Sequence, residues 1–115
     1  MNTKTFVIVN LQVEGIHQWA ECPFESVKFL KDPHRHIFHI EAQKEVFHDD
    51  RDLEFIMLKR KILYYLETSY KDDNCLQFGK MSCEMIAREL LEKFHLYSCK
   101  VMEDNENGAI TYSAS

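Results

Sequence analysis

Three histidines are the residues of this chain whose type and spacing best suit chemistry. His34 and His36 stand two apart in a segment that reads as a strand, so their side chains point to the same face. His17 ends the preceding strand-like segment and would bring a third imidazole to the pair. Three nitrogen ligands with an open fourth position are how catalytic zinc is held, whereas structural zinc usually has four protein ligands. The pattern predicts a zinc site, although a His-x-His pair taken alone is more often a pair of strand residues that binds nothing.

Glu103 is the second residue that calls for a functional explanation. It follows Cys99 and Val101 at alternate positions, which predicts that its carboxylate points inward. A buried carboxylate is costly unless it is paired or hydrogen-bonded. One interpretation is that the strand has already ended and the side chain is solvated. The other is that Glu103 accepts two N–H donors from a ligand, such as the amide and amino edge of a guanine-like ring.

Two strands must hold the histidines in place. Apolar residues alternate with polar ones near the start, so residues 4–15 predict a half-buried strand whose parity continues to His17. Residues 18–33 contain both prolines and predict a long loop, a type of segment that is often functional. A second strand is predicted over residues 34–47. It places the histidine pair on the face of three apolar residues: Phe38, Ile40 and Ala42.

The rest of the chain predicts two helices and a hairpin. Residues 51–69 carry a broad apolar stripe with acidic residues in the first turn, which favours a helix. Ser82 is a suitable N-cap for a second helix, and residues 71–80 are interpreted as a connector. Residues 97–103 and 109–113 predict two strands around a turn. The order β-β-α-α-β-β indicates a single α+β domain over all 115 residues, with an antiparallel sheet and two helices on one face.

Composition excludes several classes of function. The 115 residues, 45% hydrophobic and 12% aromatic, indicate one folded domain. The net charge of −5, with no basic run denser than residues 59–61, argues against nucleic acid and anionic membranes as partners. The apolar run at residues 6–9 is too short for a signal peptide or a membrane span. Four cysteines without C-x-x-C spacing predict free thiols in a reducing cytoplasm.

The histidine spacing resembles that of the 6-pyruvoyl-tetrahydropterin synthases and the related bacterial 6-carboxy-tetrahydropterin synthases of queuosine biosynthesis. In that family a strand ends in a His, a loop follows, and His-Gly-His opens the next strand. Residues 52–59 are similar to the family's "M-V-x-D-F-x-x-L-K" segment, with Glu54 where Asp is usual. Residues 82–87 and 101–103 are similar to its "T-x-E-N-L-A … V-x-E" segment, and residues 108–112 to its final hairpin. The resemblance covers nearly the whole chain.

This resemblance implies a T-fold (tunnelling fold) subunit, which associates through its sheet into a β-barrel, commonly a trimer stacked as a hexamer. It implies that His17, His34 and His36 are zinc ligands and that Glu103 anchors a pterin-like substrate. The family's reaction is a zinc-assisted rearrangement of 7,8-dihydroneopterin triphosphate with loss of triphosphate. In that reaction a Lewis acid polarises side-chain oxygens and a base moves protons.

The chain departs from the family where protons are moved. The family's catalytic Cys corresponds to Leu30 here, and the nearest thiol is Cys22, twelve residues before His34. Cys22 is a candidate catalytic residue if the loop folds back. The family's Asp-His pair between the helices is replaced by residues 72–74, Asp-Asp-Asn, without a histidine. Three hypotheses remain open: an enzyme of this family, a diverged T-fold protein that binds zinc and a pterin or purine without the reaction, or a domain without metal.

Overall fold

The fold is built on a six-stranded mixed sheet. The computed structural model describes residues 2–114. The elements in chain order are β1 Thr5–His17, a 3-10 helix Glu25–Lys31, β2 His34–Val46, α1 Phe55–Tyr70, β3 Lys71–Asp72, β4 Cys75–Gly79, α2 Cys83–Phe94, β5 Ser98–Glu103 and β6 Asn107–Tyr112. The strands lie in the order β3-β4-β1-β2-β5-β6. Neighbours are antiparallel except β1 and β4, which are parallel.

The α+β class is confirmed, but the four-stranded, wholly antiparallel sheet predicted from the sequence is wrong. Residues 71–80 are not a plain connector, because they form the β3–β4 hairpin. Leu76 and Phe78 alternate with polar residues and are both buried, so this short segment has a reason to join the sheet. The loop at 18–33 also differs from expectation, since it contains the 3-10 helix.

The long β1–β2 ladder sets the position of the histidines. Its register runs without interruption from Thr5 opposite Val46 to His17 opposite His34, and it pairs Gly15 with His36. The predicted parity of both strands is confirmed. The inward residues of the two strands that belong to the hydrophobic core are Val9, Leu11, Val13, Phe38, Ile40 and Ala42. The three histidines therefore meet at the end of the inward face, beside the core.

Two helices cover this inward face. The buried helix residues are Leu58, Ile62 and Leu66 in α1, and Cys83, Ile86, Ala87 and Leu90 in α2. Ser82 is the N-cap of α2, as predicted, because its hydroxyl accepts a hydrogen bond from the Met85 N–H. Helix α1 begins later than predicted, since Glu54 is its N-cap rather than a residue of its first turn. No helix within residues 2–114 is long and apolar enough to cross a membrane.

Candidate metal centre

The structure brings the three predicted histidines together. His17 is the last residue of β1, and His34 and His36 open β2 on the strand beside it. One ligand atom from each ring lies within 4.8 Å of the other two. Tetrahedral zinc separates its nitrogen ligands by roughly 3.3 Å, so the rings have to close by about 1.5 Å at most. This group can hold a metal ion, although the geometry alone does not choose which one.

Backbone carbonyl groups fix two of the three imidazoles. His17 Nδ1 lies 2.9 Å from the carbonyl oxygen of Met81, and His34 Nδ1 lies 2.8 Å from that of Asp32. A carbonyl oxygen only accepts, so each Nδ1 carries the proton and donates it. The lone pair of each neutral ring is consequently on Nε2. This is the usual outer arrangement of a metal-ligating histidine.

His36 is held by a side chain instead. Its Nδ1 lies 2.7 Å from Oδ2 of Asp104, and Oδ1 of the same carboxylate accepts from the Ile37 backbone N–H at 2.9 Å. The pKa of Asp104 lies below its ordinary value, mainly because of the hydrogen bond from His36 and, to a smaller degree, because of the one from Ile37. Asp104 was not among the residues singled out in the sequence, because its role depends on a turn that a pattern search does not reveal.

Two of the imidazole Nε2 atoms are buried without a hydrogen bond to any described residue. Within residues 2–114, Nε2 of His17 and Nε2 of His36 are buried and have no hydrogen-bond partner. Glu103 is nonetheless close, with Oε2 2.7 Å from His17 Nε2 and Oε1 3.6 Å from His36 Nε2. Because the rings already donate from Nδ1, these contacts set nitrogen lone pairs against a carboxylate. A metal cation bound to these lone pairs would also attract the neighbouring carboxylate, so the donor set fits a divalent metal ion.

A cavity of about 500 Å³ adjoins the histidines. Its wall includes His17, His34, Glu103, Trp19, Leu30 and Cys83. Trp19 is 45% exposed, and its backbone N–H donates to the Leu30 carbonyl at 2.7 Å, which ties the start of the 18–33 segment to its end. The inward parity predicted for Glu103 thus brings its carboxylate to the histidines and to the cavity at once.

The structure does not bring Cys22 to the cavity wall. Its side chain is buried, and its Sγ lies 3.8 Å from the carbonyl oxygens of Phe24 and Val27. Leu30, at the position of the family's cysteine, does line the cavity. The catalytic role of Cys22 stays a prediction, and it requires the segment after β1 to rearrange.

Cys83 is the thiol that the structure places in the cavity wall, and sequence reasoning missed it. It is the first residue of α2, directly after the N-cap Ser82. Burial, and then the neighbouring carboxylate of Glu103, raise the pKa of the Cys83 thiol to about 12. The thiol is therefore protonated at neutral pH. All four cysteines are free. The position of Cys83 directly after a predicted N-cap is the one sequence feature that sets it apart, and many structural cysteines share that position.

The Asp-Asp-Asn segment at 72–74 takes no part in the cavity beside the histidines. Its residues form the tip of the β3–β4 hairpin, where Asp73 has a positive φ of 58°, and none of them lines the cavity beside the metal centre.

Comparison with known proteins gives no assignment, because no protein-family model and no curated protein matches this chain.

Proposed function

We propose that this chain is a zinc-dependent protein of the 6-pyruvoyl- or 6-carboxy-tetrahydropterin synthase type that acts on a dihydropterin in the cytoplasm. The substrate would be of the dihydroneopterin triphosphate kind, with elimination of triphosphate. One observation carries the proposal: three imidazoles, each with its Nδ1 hydrogen-bonded to an acceptor, offer ligand atoms within 4.8 Å of one another beside a cavity. The resemblance in sequence order supports the same assignment.

His17, His34 and His36 would hold the zinc ion through Nε2. When bound, zinc supplies Lewis-acid polarisation of a substrate oxygen. The protein supplies the rest of the chemistry through fixed groups. The carbonyl groups of Met81 and Asp32 orient two imidazoles, and the buried position of His17, 8% exposed, keeps water from one side of the site.

Glu103 is the proposed anchor for the ligand ring. Its two oxygens can accept a pair of parallel N–H bonds, which gives both affinity and selection for a ring with an amide-amino edge. Its carboxylate reaches the histidines and also lines the cavity, so a ring held there lies next to the metal centre. The half-exposed indole of Trp19 offers a flat apolar surface at the same cavity.

Two thiols are candidates for the group that moves a proton. Cys22 is the candidate from the sequence. Cys83 is the candidate from its position in the cavity wall, and because its thiol is protonated at neutral pH it can only donate a proton. Alanine variants at each position, assayed for zinc content and for turnover of dihydroneopterin triphosphate, separate the two. A proton-carrying thiol is identified when its alanine variant keeps zinc and loses turnover while the other variant retains the wild-type rate.

A second function is favoured because residues 72–74 lack the histidine that the family uses for proton transfer. The hairpin tip at residues 72–74 has no histidine and does not reach the cavity. An imidazole is suited to proton transfer near neutral pH, and an Asn amide cannot replace it. The alternative is accordingly a diverged T-fold protein that binds zinc and a pterin or purine without the family reaction.

The proposed assembly is a closed trimer, or two trimers stacked as a hexamer. Strand β6 is one edge of the sheet, and β4 pairs with β1 only at residues 15–17, so residues 5–14 of β1 have no strand on that side among the described residues. Unpaired strand edges favour pairing with another chain. Head-to-tail pairing of these two different edges closes a ring, which supports the barrel. Light scattering that gives a monomer at micromolar concentration contradicts this part of the proposal.

The test of function uses zinc-loaded protein with dihydroneopterin triphosphate as the substrate and neopterin as a binding probe. Release of triphosphate supports the enzyme. Binding of neopterin without turnover, lost in Glu103→Gln while zinc is retained, supports the diverged binding protein. Gln keeps the size of the side chain but replaces one acceptor with a donor, so the loss reports on N–H recognition. Neither turnover nor binding by a zinc-loaded protein contradicts both functions.

A further inference from the structure

Asp104 connects to β2 through three hydrogen bonds. Oδ2 accepts from His36 Nδ1 at 2.7 Å, and Oδ1 accepts from the Ile37 N–H at 2.9 Å. The backbone N–H of Asp104 in turn donates to the Ile37 carbonyl oxygen at 2.8 Å. All three bonds go to two adjacent residues, so the carboxylate is fixed relative to the imidazole that it contacts.

The backbone turns sharply between β5 and β6. The regular β2–β5 pairing ends with Phe38 opposite Glu103, and the next two residues, Asp104 and Asn105, have positive φ values of 53° and 57°. Residues other than glycine rarely adopt this left-handed conformation, and Asp and Asn are among those that tolerate it best. The turn carries the Asp104 carboxylate back beside β2. Asp104 and Asn105 are the central residues of the β5–β6 turn, which the Glu106 N–H closes on the Glu103 carbonyl oxygen at 2.9 Å, and tight hairpin turns commonly use this conformation.

We propose that Asp104 is a positioning residue of the metal centre: it fixes the Nδ1–H tautomer of His36 and so keeps the Nε2 lone pair available to the metal. A carboxylate accepts hydrogen bonds and does not donate them, so the facing ring nitrogen has to carry the proton. This inference rests on the proposed zinc site and adds a residue to it that neither the histidine spacing nor the resemblance identifies.

The three ligands differ in a way that makes Asp104 important. His17 and His34 donate to backbone carbonyl groups, which remain whatever side chain stands at positions 81 and 32. His36 donates to a side chain, so its tautomer depends on one residue. Replacing such an outer partner typically lowers metal affinity by about 10- to 100-fold. Zinc affinity is therefore expected to be set in part at position 104.

Asparagine and alanine at position 104 have different expected effects. Asn has one acceptor for two donors, and with its oxygen on the Ile37 N–H its amide NH₂ faces His36. A donor there favours the other tautomer, which places the proton on Nε2 where the metal binds. Alanine leaves Nδ1–H to water and imposes no tautomer. A tautomer role thus makes Asp104→Asn the worse variant, whereas a packing role makes Asp104→Ala the worse one.

A matched control is present at the opposite side of the site. Asp32→Asn also removes one carboxylate, two residues before His34, but the carbonyl oxygen that accepts from His34 Nδ1 belongs to the backbone and is retained. Any general effect of losing one negative charge near the metal appears in both variants. The difference between Asp104→Asn and Asp32→Asn then measures the hydrogen bond to His36 alone.

The experiment is a zinc titration of each protein in competition with a chromogenic chelator at neutral pH, with thermal unfolding of the metal-free forms as the folding check. We expect Asp104→Asn to weaken zinc binding about 10- to 100-fold, Asp104→Ala to weaken it less, and Asp32→Asn to match the wild type. Equal affinities for Asp104→Asn and Asp32→Asn, or a weaker Asp104→Ala, overturn the inference and leave the proposed function standing. Failure of the wild type to bind zinc overturns both.

A second measurement decides the matter if Asp104→Asn does not fold. The ring ¹⁵N shifts of His36 in the metal-free wild type distinguish the two neutral tautomers directly. An Nδ1–H ring supports the role of Asp104. An Nε2–H ring overturns it.

Discussion

Replacing Gly15 with alanine tests how tightly the sheet is packed beneath the metal centre. A Cβ atom at this position would lie 2.7 Å from Cε2 of Phe78 and 2.9 Å from two ring atoms of Phe38. Ordinary carbon contacts are about 3.5–4.0 Å, so both buried rings would have to move. Overpacking of this kind costs about 1–3 kcal/mol. For a domain of this size we expect the Tm to fall by roughly 4–12 °C.

The same change should reach the histidines. Phe38 packs with its ring centroid 5.2 Å from that of His17, and Gly15 lies opposite His36 in the ladder. Zinc affinity should therefore fall together with Tm, measured by chelator competition and by circular dichroism on metal-free protein. Phe78→Leu removes part of the clash, so it should cost less stability in the Gly15→Ala background than in the wild type. An unchanged Tm in Gly15→Ala, or strictly additive effects of the two changes, refutes the packing described here.

Three further outcomes are expected. Ser82→Ala removes the N-cap of α2 and should cost about 1 kcal/mol of unfolding free energy in denaturant titrations, whereas Ser82→Thr should retain most of it. Gly108→Ala should lower Tm more than Gly15→Ala does, since its Cβ would collide with the Val101 carbonyl oxygen, which is backbone and cannot turn aside. Alkylation of Cys83 in the metal-free protein, followed by peptide mass spectrometry, should still accelerate between pH 9 and 11, because its pKa is raised to about 12; a plateau near pH 9 contradicts that environment.

Much of the sheet could be predicted because its signals are local and repeated. Alternation over a dozen residues fixed the inward face of β1 and β2, and a single cap residue, Ser82, located the start of α2. The β3–β4 hairpin was missed because β3 has two residues and β4 has five, too few for alternation to stand out. The parallel pairing of β4 with β1 joins residues that are far apart in sequence, so no local sequence pattern predicts it.

The site divides in the same way. Each of the three histidines, and Glu103, stands an even number of positions from the inward apolar residues of its own strand. Their inward direction therefore follows from the sequence alone. Asp104 and Cys83 do not follow from it. Asp104 acts through a left-handed turn, and Cys83 reaches the cavity because α2 packs against β5 and β6. Cys22 was selected for its proximity in sequence to the histidines, yet its thiol faces the carbonyl groups of its own loop.

The most direct test of the metal centre is the zinc content of purified protein, measured by elemental analysis per chain. We expect one zinc ion in the wild type, none in the His34→Ala/His36→Ala double variant, and one in His39→Ala. His39 serves as the control because it lies on β2 but on the opposite face of the sheet, across from Gln12. Stoichiometric zinc in the double variant, or a wild-type protein that binds none when zinc is supplied, contradicts the central claim.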